Sequence, residues 1–488
     1  MHNSGFSILN YGIISIYLGA MMAIGIWFAG RQKTGEDYFL AGRRMPWITV
    51  AMSMFASLTS AVTFMGLPGL AFKSNVTLAA VCIISPLLAP FLIFVMYPVY
   101  RRLNVTTSYE YIGNRFGNAP RLTVSALFLM ARLGWLATVI YAPALALSVA
   151  AGISLPVCIV LMGGLATAYT ALGGLSAVLW TDVVQFVFLV GGAVWIVCSL
   201  ALRVSGGAAE IFSIASSTGH IAFDWSVDLY KMTLVSVSIS FFFQMMQDYG
   251  TDQVTVQRLM AVRTRRGMFK AILFNAGTDS IVIALLLFIG IGLFAFFYQN
   301  PQALPNGLPS DRILPYYIIH NLPDGISGLL IAAIFAAAMS SMDSGIHSMS
   351  TVIVHDFIHT LNPQTAHSSR DVVLARVLTV TLGITATTGA FYVSRLEGIV
   401  EAFAQFMSLF NAPVLALFLL GMLSRTARFS GWCCGAACAV GITFYIQHYT
   451  ELHWTYYFPV SLGVSWSIGY LSSRFFRFAS IRRVSKRI

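Results

Sequence analysis

A short stretch in the second half of the chain carries several hydroxyl side chains at helical spacing. It reads AAAMSSMDSGIHS from residue 336 to residue 348. At about 100° per residue, one helical face holds four serines, with a carboxylate at its border. Hydroxyl and backbone carbonyl oxygens are the ligands that a hard monovalent cation needs. The pattern therefore predicts a cation site built from Ala337, Ser340, Ser341, Asp343, Ser344 and Ser348.

The alternative is that these serines only bond back to the carbonyls of their own helix, which is common for an isolated serine. Four serines on one face beside an aspartate favour the ion site.

Three further charged side chains lie inside long apolar segments. Asp182 is expected to handle an ion or a proton, or to form a structural pair with a hydroxyl. Arg132 is expected to bind a solute carboxylate, to neutralise a buried aspartate or to extend to the membrane surface. Asp279 has the weakest claim and is interpreted as a packing carboxyl.

A histidine pair resembles a zinc motif only superficially. His355 and His359 have the spacing of a zinc-protease helix, but Asp356 stands where that chemistry uses glutamate as base. No third ligand is evident from the sequence. We therefore expect a protein that is not an enzyme.

The composition predicts a protein embedded in lipid. Of the 488 residues, 57% are hydrophobic and only 10% are charged, against about a quarter charged in soluble domains. The net charge of +11 is interpreted as basic loops facing an anionic leaflet rather than as nucleic-acid binding. The first apolar stretch follows no basic segment and is expected to be a retained span rather than a signal peptide.

Breaks at charges and at Gly/Pro clusters predict thirteen membrane spans in a single domain, residues 1–488. Most Lys and Arg residues then fall on one side, which places the N-terminus outside and the C-terminus inside. Arg258 is counted among the cytoplasmic residues in this assignment. The predicted spans are 7–30, 46–71, 76–100, 121–150, 153–172, 176–203, 230–248, 268–298, 323–357, 371–394, 398–423, 429–447 and 454–473.

Two of these spans are expected to be broken helices. The second carries a Ser/Thr-rich run, residues 56–63, followed by Gly66, Pro68 and Gly69. The seventh places Gln244, Gln247 and Asp248 near its cytoplasmic end. Broken spans five apart are what an inverted five-plus-five repeat predicts, with the binding site near the midplane. Ordinary packing through small residues is the alternative for the second span.

Seven motifs in order along the chain resemble the sodium:solute symporter family. Each motif is weak alone, but their order covers nearly the whole sequence. They are Asp37-Tyr38-Phe39 with Gly42-Arg43-Arg44, Ser60 to Phe64 with Gly66 and Pro68, Thr107 to Tyr111, Gly173 to Gln185, Asp252-Gln253 with Gln257-Arg258, Ala337 to Ser344, and Leu417 to Gly421.

The resemblance implies an all-α transmembrane, LeuT-like fold. Spans 2–6, about 46–203, would form the first inverted repeat, and spans 7–11, about 230–423, the second. One or two Na⁺ ions would be coupled to the solute. The implied first sodium site consists of Ala56, Thr59, Ala337, Ser340 and Ser341, and the second of Asp182, Ser340, Asp343 and Ser344. Asp343 departs from the hydroxyl residue found in sialic acid symporters, so the two aspartates would hold one ion tightly or share a proton.

The resemblance also implies a small anionic solute, and sialic acid (N-acetylneuraminate) is the first candidate. The segments 298–305 and 313–315 are similar to the sialic acid symporters. Those proteins hold the solute carboxylate with an arginine whose position corresponds to Trp135 here, whereas Arg132 lies one turn earlier. The implied lining of the solute pocket is Ser60, Thr63, Phe64, Cys82, Arg132, Phe243 and Gln244.

Several functions stay open at this stage. A monocarboxylate or another small solute is the nearest alternative cargo. An uncoupled facilitator or a solute sensor on the same scaffold would keep the fold without the coupling, but would have no reason to keep both Ser340 and Ser341. The expected location is the cell inner membrane, as a multi-pass protein whose expected partners are the lipid bilayer and the solute, with no nucleic acid; the oligomeric state stays open.

Overall fold

The structure is a computed structural model that describes residues 7–32, 34–365, 370–393 and 399–485. Within these ranges the regular structure is helical, apart from one isolated bridge between Met45 and Val262. Of the basic residues used to predict the topology, Lys33, Arg395, Lys486 and Arg487 lie outside the described residues, as do the proposed span ends at 394 and 398.

The first half of the chain forms helices α1 to α10. Their bounds are Ile8–Ala29, Gly35–Leu40, Trp47–Leu58, Ala61–Lys73, Val81–Phe91, Tyr97–Leu103, Glu110–Phe116, Asn118–Ala151, Leu155–Arg203 and Gly207–Ser217. The second half forms α11 to α20, with bounds Leu234–Gly250, Gln253–Ala261, Arg265–Gln299, Ile313–Asn321, Ile326–Val352, His359–Leu361, Arg370–Val393, Ile399–Leu423, Phe429–Tyr449 and Tyr457–Ser485.

Eight helices in the described ranges are long and apolar enough to cross a membrane, or nine if the bent pair α3 and α4 is one span. Thirteen crossings are therefore not confirmed by length and hydropathy. One reason is that the predicted spans 153–172 and 176–203 both lie in α9, which has 49 residues. Another is that α11 has only 17 residues. The number of crossings and the orientation stay predictions.

Helix α9 changes direction at a glycine. Gly174 has φ 56° and ψ −165°, which interrupts the helical geometry at the boundary between the two predicted spans. A side chain at this position would clash, because a Cβ would lie 2.8 Å from the Gln32 side chain and 2.9 Å from the Tyr38 ring. Glycine is needed here for both conformation and space.

The second predicted span is broken, as expected from its sequence. Helix α3 ends at Leu58, α4 begins at Ala61, and the two are bent by 58°. Between them Thr59 and Ser60 are extended, and the Ser60 hydroxyl accepts a hydrogen bond from the Thr63 amide at 3.4 Å. The seventh span is also interrupted, because α11 ends at Gly250 and α12 begins at Gln253.

Helix α15 lies at the centre of the protein. In its most apolar window, 89% of the residues are buried, against 22% in α1. It packs against α9, α8 and α3, and its alanines, serines and glycine allow these backbones to approach closely. The hydroxyl-bearing face predicted from the sequence is thus placed in the protein interior rather than against lipid.

Candidate ion-binding and solute-binding sites

The break after α3 leaves two backbone carbonyls without helical partners. Because the helix ends at Leu58, the carbonyls of Ala56 and Ser57 belong to its last turn, where i+4 amide donors are missing. Both are satisfied by α15. The Ser340 hydroxyl donates to the Ala56 oxygen at 2.7 Å, and the Ser341 hydroxyl donates to the Ser57 oxygen at 2.9 Å.

The remaining members of the predicted first sodium site lie nearby. The Ala337 carbonyl is within 3.2 Å of the Ser340 hydroxyl and 3.4 Å of the Ser341 hydroxyl. Thr59 is in the break itself. A cation at this position would meet carbonyl oxygens at the negative end of a half-helix. The two hydroxyls would turn their lone pairs to the ion, since a hydroxyl can donate or accept.

Asp182 contacts the part of α3 that precedes this break and is completely buried. Its Oδ2 accepts hydrogen bonds from Ser53 at 2.5 Å and Ser57 at 3.3 Å. The same oxygen accepts from the Arg258 guanidinium at 3.1 Å. Its Oδ1 is buried with no hydrogen-bond partner in the described part of the chain.

Asp343 contacts a different set of hydroxyls. Its Oδ2 accepts from the Tyr169 hydroxyl at 2.9 Å and from Thr181 at 3.5 Å. Its Oδ1 is 3.1 Å from the Ser344 hydroxyl. Ser344 is in turn 2.9 Å from the Ser57 hydroxyl and donates to the Ser340 carbonyl. The two predicted sodium sites therefore share a continuous network of hydroxyls.

Arg258 corrects one assignment made from the sequence. The positive-inside count placed it with cytoplasmic residues, but its side chain is 1% exposed and contacts residues of the predicted second sodium site. It donates to Ser53 at 2.8 Å, to Asp182 and to Ser344. Charge counting treats every arginine next to a span as a surface residue, so it missed this one. Two signals were available: Arg258 belongs to a family motif, and it lies close to the interrupted seventh span.

Two neighbours of Asp182 also carry unpartnered polar atoms. Gln185 is one helical turn along α9, and the Tyr17 hydroxyl of α1 lies beside its side chain. Both residues are buried, and neither the Gln185 amide nor the Tyr17 hydroxyl makes a hydrogen bond of normal geometry with described residues. Buried polar atoms without partners, such as these, are unfavourable unless an ion or a water satisfies them. Gln185 ends one of the family motifs in the sequence, but no role was predicted for it, and nothing in the sequence distinguished Tyr17.

A cavity of about 220 Å³ opens beside the helix break. Three of the seven residues predicted to bind solute line it: Thr63, Arg132 and Gln244. Ser60 and Phe64 are fully buried behind it. Phe243 lines a separate apolar cavity of about 540 Å³, and Cys82 presents its backbone carbonyl to Ser280 at 2.5 Å. Thr59 also lines the first cavity, so the ion site and the cavity share a residue.

Arg132 has a protein partner and also reaches the cavity. Its guanidinium forms a buried ion pair with Asp252, the residue that caps α12 through the Val254 amide at 2.8 Å. It also lies 5.6 Å from the centre of the Phe128 ring. Two of the roles expected for Arg132 are thus compatible, since one N–H group holds Asp252 while the side chain lines the cavity.

Two more acids and one tryptophan line the same cavity. Asp279 accepts hydrogen bonds from the Tyr249 hydroxyl and from Ser85, the latter at 3.0 Å. Asp248 projects from α11, and Trp135 follows Arg132 on α8. The packing role expected for Asp279 agrees with its two donors, whereas Asp248 was noted in the sequence only as part of a polar group.

The histidine motif lies just beyond the C-terminal end of α15, where its acid and one histidine contact other residues. Asp356 accepts hydrogen bonds from Arg121, Thr107 and Ser125 at 2.6 to 2.8 Å. The His359 ring is 3.3 Å from Asp371. The acid that would have to act as a base is therefore fixed by three donors.

Comparisons with known proteins agree with this architecture. Residues 38–437 match the model of the Sodium:solute symporter family. The sodium/sialic acid symporter NanT of Aliivibrio fischeri is 33% identical over 485 residues, covering 98% of this chain and 95% of that protein. The sodium/sialic acid symporter SiaT of Proteus mirabilis is 32% identical over 461 residues, covering 94% and 92%.

Solved structures give the same result. A Na⁺-coupled sialic acid symporter in a substrate-bound outward-open state, described as revealing a novel Na⁺ site, superposes with a TM-score of 0.91 at 30% identity, covering 96% of this chain and 98% of that one. Mhp1, a nucleobase-cation-symport-1 transporter, superposes with a TM-score of 0.55 at 14% identity and 91% and 94% coverage, which bears on the fold alone. The expected all-α, LeuT-like fold is confirmed.

Proposed function

Because the chain belongs to the sodium:solute symporter family, we propose that it imports a small organic anion together with sodium, and that sialic acid is its substrate. It is a multi-pass membrane transporter rather than an enzyme. The proposed location is the inner membrane of the cell, where an inward sodium gradient would drive accumulation of the solute by alternating access.

The observation that carries this proposal is the contact between α15 and the broken end of α3. Ser340 and Ser341 reach the Ala56 and Ser57 carbonyls, and with Thr59 and Ala337 they form the proposed first sodium site. An ion held by oxygens from both helices would favour the conformation in which the two helices are close. Sodium binding would thereby be coupled to the conformational change that moves the solute, because a ligand shifts a conformational equilibrium by its differential affinity for the two states.

The position of the cavity supports solute binding next to this ion. Thr59 lines the cavity and lies in the break, so ion and solute would stabilise the same arrangement of α3 and α4. Arg132 would supply N–H donors to the solute carboxylate, and Thr63 and Gln244 would supply further polar contacts. Two relatives of similar length are sodium/sialic acid symporters, which supports the choice of sialic acid.

A second cation is proposed at Asp182. Asp182 and Asp343 contribute two negative charges, and the buried Arg258 guanidinium contributes one positive charge. The balance of one negative charge fits a single monovalent cation. The Asp182 Oδ1 and the unpartnered Gln185 and Tyr17 oxygens are the ligands available, together with Ser340, Asp343 and Ser344. Sodium is favoured over a proton, because a proton would not need these neutral oxygens.

Alternative functions of the same fold predict different transport behaviour. A monocarboxylate carrier would use Arg132 and the same cavity, where Trp135 replaces the arginine expected from sialic acid symporters. A facilitator or a sensor would not accumulate solute. Ser340 and Ser341 favour sodium coupling over the facilitator and the sensor, since only a coupled carrier would use both buried hydroxyls as ion ligands.

Uptake into proteoliposomes tests the proposal. Purified protein would be reconstituted, and labelled N-acetylneuraminate and a panel of monocarboxylates supplied with an inward sodium gradient or with potassium in its place. We expect accumulation of N-acetylneuraminate above the external concentration only with sodium. Equal uptake with potassium would refute coupling, and sodium-driven uptake of monocarboxylates alone would refute the substrate.

A further inference from the structure

Asp248 lies in the last two turns of α11, immediately before the interruption of the seventh span. Its side chain is partly exposed, and the space to which it is exposed is the cavity beside the ion site. Gln244 lies one turn earlier on the same helix and lines the same cavity, and Asn411 of α18 is on the wall with it.

The other acids around this cavity already have partners. Asp252 is paired with Arg132 and caps α12. Asp279 accepts hydrogen bonds from Tyr249 and Ser85. The carboxylate of Asp248, in contrast, makes no hydrogen bond and no ion pair with any residue in the described ranges.

The charge balance of the cavity does not supply a counter-ion for Asp248. The charged side chains that act on it are Asp252, Arg132 and Asp279. Arg132 is the one cation of this group, and Asp252 already neutralises it. An ionised carboxylate in a membrane protein needs donors, because desolvation without them is costly. The donors for Asp248 must come from water, from a proton or from the solute.

We infer that Asp248 binds O–H or N–H donors of the transported solute, and that the substrate is therefore a carboxylate that also carries several such donors. This inference rests on the proposed function and narrows its substrate class. An ionised carboxylate is an acceptor with two oxygens, so it can take two adjacent hydroxyl groups, or a hydroxyl and an amide N–H.

The same geometry disfavours simple monocarboxylates. Such a solute would bring a second negative charge into a cavity where Asp248 has no donor, and it would leave Asp248 unsatisfied. Arg132 at one part of the wall and Asp248 at another would instead select a solute with an anionic end and a hydroxylated body. Asp248 is thus assigned as a specificity-determining residue.

Binding of two solutes to three variants tests this assignment. Titration calorimetry in saturating sodium would compare N-acetylneuraminate with pyruvate, a carboxylate without hydroxyl groups. The proteins are wild type, Asp248→Asn and Asp248→Ala, with Ser238→Ala on the same helix as the matched control, since Ser238 lines the separate apolar cavity. For both Asp248 variants we expect affinity for N-acetylneuraminate to fall about tenfold or more. Affinity for pyruvate should be unchanged or increased, because a like charge is removed.

Each other outcome has a distinct meaning. Affinity for N-acetylneuraminate within twofold of wild type in both variants would overturn the inference, and so would an equal loss for the two solutes. Sodium-dependent thermal stabilisation serves as the folding control, and its loss in both variants would show a structural role and also overturn the inference. If wild type binds neither solute in sodium while Ser238→Ala and wild type remain folded, the proposed substrate itself is wrong.

Discussion

The hydroxyls of Ser340 and Ser341 each have one proton and two lone pairs, and this decides what they can do in the interior of a membrane protein. In the structure both donate to carbonyls of α3. When a sodium ion is bound, the hydroxyls would rotate so that their oxygen lone pairs coordinate the ion. The same atoms can thus hold the helix break together without an ion and coordinate an ion when it is present.

Removing either hydroxyl should weaken sodium binding without unfolding the protein. For Ser340→Ala and Ser341→Ala, we expect the sodium concentration for half-maximal uptake to rise about tenfold, because a ligand is lost and a carbonyl of α3 loses its donor. Ser350→Ala is the matched control, since Ser350 lies on α15 and its hydroxyl donates to the His347 carbonyl at 2.8 Å and to no other group among the described residues. Unchanged sodium dependence in both variants would refute this site.

Arg132 should be replaceable by lysine for folding but not for solute binding. Arg132→Lys keeps the charge beside Asp252 and loses the planar fork. We expect solute affinity to fall about tenfold while thermal stability and the sodium-induced thermal shift stay near wild type. Arg132→Ala should lower stability by about 3–5 kcal/mol, because it leaves Asp252 buried without a partner.

A double-mutant cycle separates these contributions. If the stability loss arises from Asp252, then Asp252→Asn should recover much of it in the Arg132→Ala background. Equal loss in Arg132→Ala and in the double variant would contradict the ion-pair explanation. Loss of sodium binding in Arg132→Lys would indicate that Arg132 supports the ion site instead.

The serine run could be identified from sequence because several polar residues at helical spacing are unusual in an apolar segment. Arg258 was part of a family motif, but its contact with Asp182 could not be predicted, because it depends on the turn between α11 and α12 and on the packing of α12 against α3. Gln185 belongs to a family motif, but the motif gave no role for it, and Tyr17 had no sequence signal. Single polar residues in spans are common, and only the absence of partners in three dimensions distinguishes these two.

The helices around the break are held by close backbone contacts. Gly290 of α13 faces α4, the second half of the broken span. A Cβ at this position would lie 2.5 Å from the Pro68 carbonyl oxygen and 2.5 Å from the Ala71 Cβ. Backbone atoms cannot move away as a flexible side chain can, so this glycine fixes the distance between α13 and α4.

An alanine scan of two glycines on α13 tests this packing. Gly290→Ala should destabilise the protein by about 1–3 kcal/mol through overpacking and should also weaken solute binding, because α4 carries Thr63. Gly277→Ala on the same helix has no atom within 4 Å of the added carbon and should be neutral or slightly stabilising. Thermal unfolding in detergent would measure both. Equal stability of the two variants would contradict the contact.

Element boundaries were predicted well where charges or Gly/Pro clusters end an apolar run, as for α1, α13 and α19. The break in the second span was also evident, because Ser and Thr beside Gly and Pro weaken a helix. The sharp joint at Gly174 was placed between two spans, but its geometry was not predictable. It depends on Gln32 and Tyr38, which are far away in sequence.

The second cation site should determine how many ions accompany each solute. If one cation binds at Asp182, then Asp182→Asn should reduce the charge moved per solute by about one, because the site loses its net negative charge. Gln185→Leu should weaken the binding of this second cation without changing sodium binding at the first site. Reversal potentials of proteoliposomes at two pH values would distinguish sodium from a proton, since only proton coupling responds to external pH. A pH-independent ratio of one sodium per solute in both wild type and Asp182→Asn would contradict the second site.

The protein as a whole is proposed to convert a sodium gradient into a solute gradient, and simultaneous flux measurement tests this most directly. Labelled sodium and labelled N-acetylneuraminate would be followed into the same proteoliposomes at a clamped membrane potential. We expect solute entry to require external sodium, sodium entry to require solute, and two sodium ions to enter per solute molecule. Solute entry at the same rate without sodium, or sodium entry independent of solute, would contradict the proposed symport.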